Sequence, residues 1–517
     1  MRASLAAFAV LSLAGCTVGP DWHAPTWAAP GTWFGSDREK SEIAARDLSH
    51  PVAAPIDTTW WNSFHDRELS SLVERVAAAN LDVRQATVRL AESRAQLGIA
   101  ASAQFPTSNA NGSYSREKLS QFGAIDLLGG QGNPNTSANG VGSTSGAIPS
   151  TVTHGVVIPP FDLYQYGLDA SWDLDLWGKV RRSIESADAS VVASAEDRRA
   201  TLLNSIAEIA RDYIQLRGTQ AQLAIARANT KTAQDLLTLT RQRQVGGLAT
   251  DLDVANAAAV AQSSASQIPM FEQQEAQAIN ALSLLLGLQP NALRGELVEP
   301  KPIPPIPPTV PIGLPGELAR RRPDVRQAEA QLHAATADIG VAVASFYPDI
   351  TLSGSFSIQA LQPKYLATWA ANQYSFGPSI TLPIFEGGKL KATLELRKAQ
   401  QQEAAVTYER TLLNAWHEVD NDLTAYDAEQ RRREQLAQAV ESNRRALALA
   451  RDRYTQGLID FLQVLVDERS LFASQEDLAS STTAVSTNLV ALYKALGGGW
   501  ESDYPDVKAR LKEASAS

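Results

Sequence analysis

The chain has 517 residues, of which 44% are hydrophobic and 20% charged, and it carries a formal net charge of −10. That apolar share is ample for a folded core, and an acidic balance without a basic stripe speaks against nucleic acid as a partner. The only cysteine is Cys16 and there is no apolar run of about 18 residues, which excludes internal disulfides, thiolate metal clusters and a membrane-spanning helix, so any membrane passage would have to use strands.

At the N-terminus, Arg2 supplies a positive charge, residues 3–13 a short apolar stretch, and Leu13-Ala14-Gly15-Cys16 the small-residue pattern of a lipoprotein signal-peptidase site. Residues 1–15 therefore read as a signal peptide and Cys16 as the lipidated start of the mature chain. Residues 16–65 form an extended N-terminal segment; its part 18–61, rich in Pro and Trp, has too little periodicity for an element of its own and is expected to run along the outside of the body. A helix is predicted over 66–104.

Period-two alternation then marks strands of about ten residues. In 164–174, Tyr164, Tyr166, Leu168, Ala170 and Trp172 alternate with polar residues or glycine, and the same pattern holds in 349–358 and 374–384. A fourth strand, 107–115, rests on its match to the second copy described below. Such lengths, with aromatics near the strand ends, suit tilted outer-membrane strands better than a soluble sheet with one wet face. Four strands cannot close a barrel and an open edge cannot face lipid, so several chains must share one barrel.

The long helices come next, predicted over 178–245 and 388–456, each about 100 Å at ~1.5 Å per residue. They belong to a repeat. At an offset of 210, Gly178-Lys179 matches Gly388-Lys389, Leu202-Leu203-Asn204 matches Leu412-Leu413-Asn414, and Gly247-Leu248 matches Gly457-Leu458. Ahead of the long helices a weaker offset of 242 relates Asp82-Val83-Arg84-Gln85-Ala86 to Asp324-Val325-Arg326-Gln327-Ala328. The offsets differ by 32, so the first copy carries that much extra between about 115 and 160, a Gly-, Asn- and Ser-rich loop. In the first long helix Ile206, Ile209, Tyr213, Leu216 and Leu223 make a narrow seam, which calls for another long helix as partner. The chain thus divides into a first repeat over 66–287, a Pro-rich connector over 288–313, a second repeat over 314–497 and a tail over 498–517.

No chemistry is evident. His23, His50, His65, His154, His333 and His417 show neither HxxxH nor HExxH spacing, and Leu128-Gly129-Gly130-Gln131-Gly132 lacks the lysine and helix of a phosphate loop. Neither an enzyme, a metal nor a cofactor is expected beyond the covalent lipid on Cys16.

Several motifs resemble a known family. Cys16-Thr17-Val18-Gly19-Pro20-Asp21-Trp22, Trp172-Asp173-Leu174-Asp175-Leu176-Trp177-Gly178-Lys179, Arg321-Arg322-Pro323-Asp324-Val325-Arg326, Phe346-Tyr347-Pro348-Asp349 and Leu492-Tyr493-Lys494-Ala495-Leu496-Gly497-Gly498-Gly499-Trp500 are similar to the motifs of outer membrane factors of the NodT subgroup, the TolC-like lipoproteins of RND-type efflux systems. The resemblance spans essentially the whole mature chain. It implies an α+β membrane protein: a homotrimer whose chains give four strands each to one β-barrel, continued by a periplasmic α-helical coiled-coil barrel, with the connector and tail in an equatorial belt. It further implies the outer membrane of a Gram-negative bacterium, a passive exit duct for drugs or other small molecules, and as partners a periplasmic adaptor and an inner-membrane RND pump. A type I protein-secretion duct stays open as the alternative. A one-chain porin would need about eight strands, and a purely structural coiled coil would not need lipid-length strands.

The two helical turns are the candidate working ends, reading Gly246-Gly247-Leu248-Ala249-Thr250 and Gln456-Gly457-Leu458-Ile459-Asp460. Capping accounts for the glycines, for Thr250 and Asp460 as the next N-caps, and for Arg241, Arg243, Arg451 and Arg453 near helix C-termini. It does not account for exposed leucines. In the family these tips dock the adaptor, which assigns Gly247, Leu248, Gly457 and Leu458 to docking. The family holds its closed state with tyrosine, arginine and aspartate nearby, which makes Arg453, Tyr454, Asp460 and Asp467 gate candidates. One departure concerns Asp467: Val466 separates it from Leu465, where the family commonly has Leu-Asp, and one residue rotates a side chain by about 100°.

Overall fold

The computed structural model describes residues 17–26, 28–31, 33, 48–118 and 160–504. Cys16, the signal peptide over 1–15, residues 119–159 of the loop and residues 505–517 of the tail lie outside the described residues.

In chain order, β1 (His50–Val52) and a 3-10 turn (Trp60–Phe64) lead into α1 (Arg67–Ala79) and α2 (Leu81–Ser102). β2 (Thr107–Glu117), β3 (Phe161–Leu174), α3 (Lys179–Val245) and α4 (Asp251–Leu285) follow, then a single helical turn, α5 (Arg294–Leu297), and β4 (Thr309–Pro311). The remainder is α6 (Pro315–Arg321), α7 (Pro323–Ala344), β5 (Asp349–Ala360), β6 (Asn372–Thr381), α8 (Lys389–Thr455) and α9 (Phe461–Ala495). α3 and α8 have 67 residues each and α4 and α9 have 35, with the ends of each pair 210 residues apart. α2 and α7 have 22 each and stand 242 apart. No helix among the described residues is long and apolar enough to cross a membrane.

The chain divides into two compact units. One, residues 1–19, 99–183 and 340–394, holds an antiparallel sheet in the order β2-β3-β5-β6. Its ladders run Thr107↔Ser171 to Glu117↔Phe161, Tyr164↔Ala360 to Leu174↔Ile350, and Asp349↔Thr381 to Ile358↔Asn372. β2 and β6 are its two edges. The last strand starts two residues earlier than the sequence suggests and ends at Thr381 rather than at 384. Pro383 has no N–H to donate to a ladder, and beyond the strand Ile384 and Phe385 are 92% and 90% exposed.

The other unit, residues 20–98, 184–339 and 395–517, is built on the helices. Its core joins Trp60, Phe64, Leu69 and Leu72 to the predicted seam, Ile206, Ile209, Tyr213 and Leu216, and to Leu489 and Tyr493 of α9. Trp60 stacks on Tyr493 with centroids 5.1 Å apart, and its Nε1–H donates to the Gly498 carbonyl at 3.1 Å. This corrects the expectation for residues 18–61. The segment contributes β1, which pairs in parallel with β4 of the connector (His50↔Thr309), and it buries Trp33, Trp60 and Trp61 in the core. Bulky indoles, not periodicity, anchor it.

The helix predicted over 66–104 is also two helices. Asn80 ends α1 in extended conformation (φ −62°, ψ 131°), and its Oδ1 accepts from the Asp82 and Val83 N–H groups at 2.9 and 3.0 Å. Asparagine is a favoured N-cap because a short carbonyl side chain satisfies these otherwise orphaned donors.

Candidate functional site

Residues opposite each other in an antiparallel ladder lie on the same face. Across three strands, Leu168, Phe356 and Tyr374 stand in one line and Trp172, Leu352 and Pro378 in another. On the opposite face the corresponding lines are Asp169, Ser355 and Ser375, and Asp173, Thr351 and Ser379. Across β3, β5 and β6 one face is therefore mainly apolar and the other mainly polar. The apolar face is open: Tyr374 is 72% and Phe376 82% exposed. The polar face is tied together by hydrogen bonds, Asn111 Nδ2 donating to Asp169 Oδ1 at 2.7 Å, Thr351 Oγ1 to Asp173 Oδ1 at 2.8 Å, and Ser355 with Ser375 at 2.9 Å. Aromatic pairs mark both ends, Tyr114 on Tyr164 at 4.9 Å and Trp177 on Tyr347 at 4.8 Å. Strands of 10 to 14 residues with this division have the length and pattern of a wall between lipid and water.

At the far ends of the long helices both turns use one geometry. The Leu248 N–H donates to the Arg243 carbonyl at 2.8 Å and the Gly247 N–H to the Gln244 carbonyl at 2.9 Å; in the second copy Leu458 reaches Arg453 at 2.9 Å and Gly457 reaches Tyr454 at 3.0 Å. These six-to-one and five-to-two bonds make a Schellman turn, which needs a left-handed residue at its corner. Gly247 (φ 71°) and Gly457 (φ 74°) supply it, where any other L-residue would cost about 1–2 kcal/mol. The next helices are capped as the sequence implies: Thr250 and Asp253 form a reciprocal capping box, and Asp460 Oδ1 accepts from the Gln463 N–H at 3.1 Å. Leu248 and Leu458 are 69% and 68% exposed.

The gate candidates separate. Arg453 and Asp460 are exposed, Asp467 is half-buried and accepts from Gln463 Nε2 at 3.1 Å, and among the described residues no ion pair joins these three. Tyr454 instead lies in the chain's own core with Phe461, their rings 5.4 Å apart. Burial raises its hydroxyl pKa, and the Arg243 charge opposes that shift. Arg243 is the residue that sequence reasoning undervalued. It belongs to the first hairpin, yet its guanidinium sits 4.4 Å over the Tyr454 ring and donates to the Thr455 carbonyl at 3.1 Å in the second. Close by, fully buried Glu468 is met by Arg451 at 3.3 Å; burial raises its pKa and Arg451 counters the rise.

At the other ends of α4 and α9 the two copies solve one problem with different residues. Asn80 Nδ2 donates to the Leu285 carbonyl at 2.9 Å, and Arg322 Nη1 donates to the Ala495 carbonyl at 3.0 Å. The donors are 242 residues apart and the acceptors 210, so each is the other's counterpart. Arg322 is further held by Asp324 at 2.7 Å and Glu418 at 2.6 Å.

Comparison with known proteins follows the same outline. The family model described as outer membrane efflux protein matches residues 72–288 and 314–498. The pyoverdine export outer membrane protein OpmQ of Pseudomonas aeruginosa is 34% identical over 445 residues, 86% of this chain and 88% of its own. The outer membrane protein OprJ of the same organism is 31% identical over 495 residues, covering 95% of this chain and 94% of its own. Among solved structures the outer-membrane channel OprN superposes with a TM-score of 0.81 at 33% identity, over 94% of this chain and 100% of that one.

Proposed function

The chain belongs to the outer membrane efflux protein family, and from that premise we propose that it is the outer membrane duct of a tripartite RND-type efflux system, working as a homotrimer. As an outer membrane efflux channel of TolC-like fold it needs no catalytic centre; its task is to hold a passage open across lipid. The observation that carries the reading is the open four-stranded sheet with one mainly apolar face on which Leu168, Phe356, Tyr374 and Phe376 are exposed. Such a sheet is stable in lipid only if its edges are paired, and β2 and β6 of neighbouring copies can pair them. Two copies would give about eight strands and a barrel filled by side chains, whereas three leave a usable lumen.

The assignment of an adaptor and a pump rests on the tips. A turn alone could use asparagine or serine after glycine, so two exposed leucines at equivalent corners favour a surface covered by another protein. Gly247 and Gly457 present Leu248 and Leu458 to that partner. Arg453 and Asp460, exposed and without partners in common, are placed to act between copies in closing the end, and Arg243 ties Tyr454 to the first hairpin. Leu248→Asp combined with Leu458→Asp should abolish efflux complementation while the protein stays trimeric in the outer membrane, because neither leucine belongs to the buried seam. Full resistance with undiminished cross-linking to the adaptor would show that the leucines only cover their own turns.

A further inference from the structure

Arg243 of α3 reaches Thr455 of α8, so these helices end at one level, and α9, which starts there, runs antiparallel to α3. The two pack closely: a Cβ added to Gly218 of α3 would lie 3.0 Å from the Thr483 Cβ of α9. On the same sides, at spacings of four and seven, follow Ile214 and Ile225 of α3 and Phe472 and Ala479 of α9, none of them exposed. The offset of 210 turns α3 into α8 and α9 into α4. It replaces Ile214, Gly218 and Ile225 by Thr424, Ala428 and Gln435, and Phe472, Ala479 and Thr483 by Gln262, Pro269 and Gln273, all six exposed. Each chain thus carries one filled joint of this kind and both halves of a second that it leaves open. The open halves are polar where the filled joint is largely apolar, as suits a surface that meets water before it is covered. Pro269 adds an acceptor there: lacking an N–H, it leaves the Ala265 carbonyl without its helical donor, a gap that Ala479 does not make in α9.

We propose that α4 of one copy seats against α8 of the next in the register of the filled joint, Gln273 on Ala428, and that Arg432 and Gln435 of α8 donate to the Ala265 carbonyl across it. The inference rests on the homotrimer proposed above and names the contact that builds it. In the antiparallel register Arg432 falls opposite Pro269 and Gln435 opposite Ser266, so the two side chains flank the open carbonyl. Both residues are exposed. Arg432 meets Glu429 at 3.1 Å through Nη1, which leaves other guanidinium N–H groups for a carbonyl. A closed ring repeats the joint once per copy, each copy giving α4 to one neighbour and α8 to the other.

Thiol cross-linking of the full chain tests this, with the unsubstituted protein, whose one cysteine is Cys16, as the control. Treated with a short bis-maleimide, Ala428→Cys with Gln273→Cys should give covalent dimers and trimers on denaturing gels. The yield should exceed several-fold that of Ala428→Cys with Gln277→Cys, which is one helical turn out of register. Equal or greater cross-linking of the Gln277 pair, or none with either, in a protein that is trimeric by native mass spectrometry overturns the inference. A monomer by that measurement overturns the homotrimer itself, and the joint with it. Pro269→Ala bonds the Ala265 carbonyl within its own helix. It should lower by several degrees the temperature at which trimers dissociate in SDS, although the helix alone gains from losing a proline. An unchanged or higher dissociation temperature removes the carbonyl from the joint and overturns that part of the proposal.

Discussion

Asp422 of α8 lies one helical turn beyond Glu418, and burial, reinforced by that neighbouring charge, pushes its carboxyl up to about 6 against the opposing pull of Lys494 and Arg322. Between its ordinary value of 3.8 and about 6 the folded chain holds a proton that the unfolded chain releases. This group's contribution therefore favours the fold as pH drops into that window and is lost as pH rises through it. Asp422→Asn should raise the melting temperature of the helical circular dichroism signal most at about pH 7.5, less at about pH 4.5, and little at about pH 3. A variant that is less stable at the higher pH would mean that the carboxylate is held by partners strong enough to reverse the sign. Nothing local announces such a residue. The same is true of Arg243, whose spacing marks it as a helix-terminal charge but not as a clamp on a ring more than 200 residues away in sequence. Gln220 and Gln430, equivalent residues one offset apart, each donate to a backbone carbonyl outside the long helices, at Leu297 and Ser49. Only the repeat could have singled them out, since a buried glutamine and an exposed one look alike in a sequence.

Whole elements were more legible than single contacts, because their signals are local. Glycine at a left-handed corner, threonine or aspartate as the next cap and an unbroken helical stretch place both long helices, α3 and α8, to within a residue of their ends. Strand faces were legible from parity, while the order of the strands in the sheet was not. The broken helix at Asn80 escaped because its residues on both sides suit a helix, and only the two-sided capping by one buried amide decides the break. Asn80→Ala removes the α2 cap and the donor to the Leu285 carbonyl together, and should cost on the order of 2 kcal/mol. Asn80→Asp keeps the cap acceptor but not the donor, so its melting temperature should lie between wild type and Asn80→Ala. Equal stability of all three would show that the helices are held by packing alone.

The molecule as a whole makes two claims on mass. Native mass spectrometry in mild detergent should give three chains, and the intact subunit should begin at Cys16 with its lipid attached; a stable monomer would contradict the first, and an unmodified chain starting at Met1 the second. Cys16→Ser should still assemble, since strands rather than the lipid carry the insertion. The two open edges of the sheet have a genetic consequence. In the proposed homotrimer a copy borrows its neighbours' edges, so defective subunits that still pair would be built into the same assemblies as sound ones. With equal expression and random mixing, about one trimer in eight would be free of the variant. Tip variants that fold should accordingly be dominant over the wild-type allele, whereas edge-strand variants that cannot pair should be recessive.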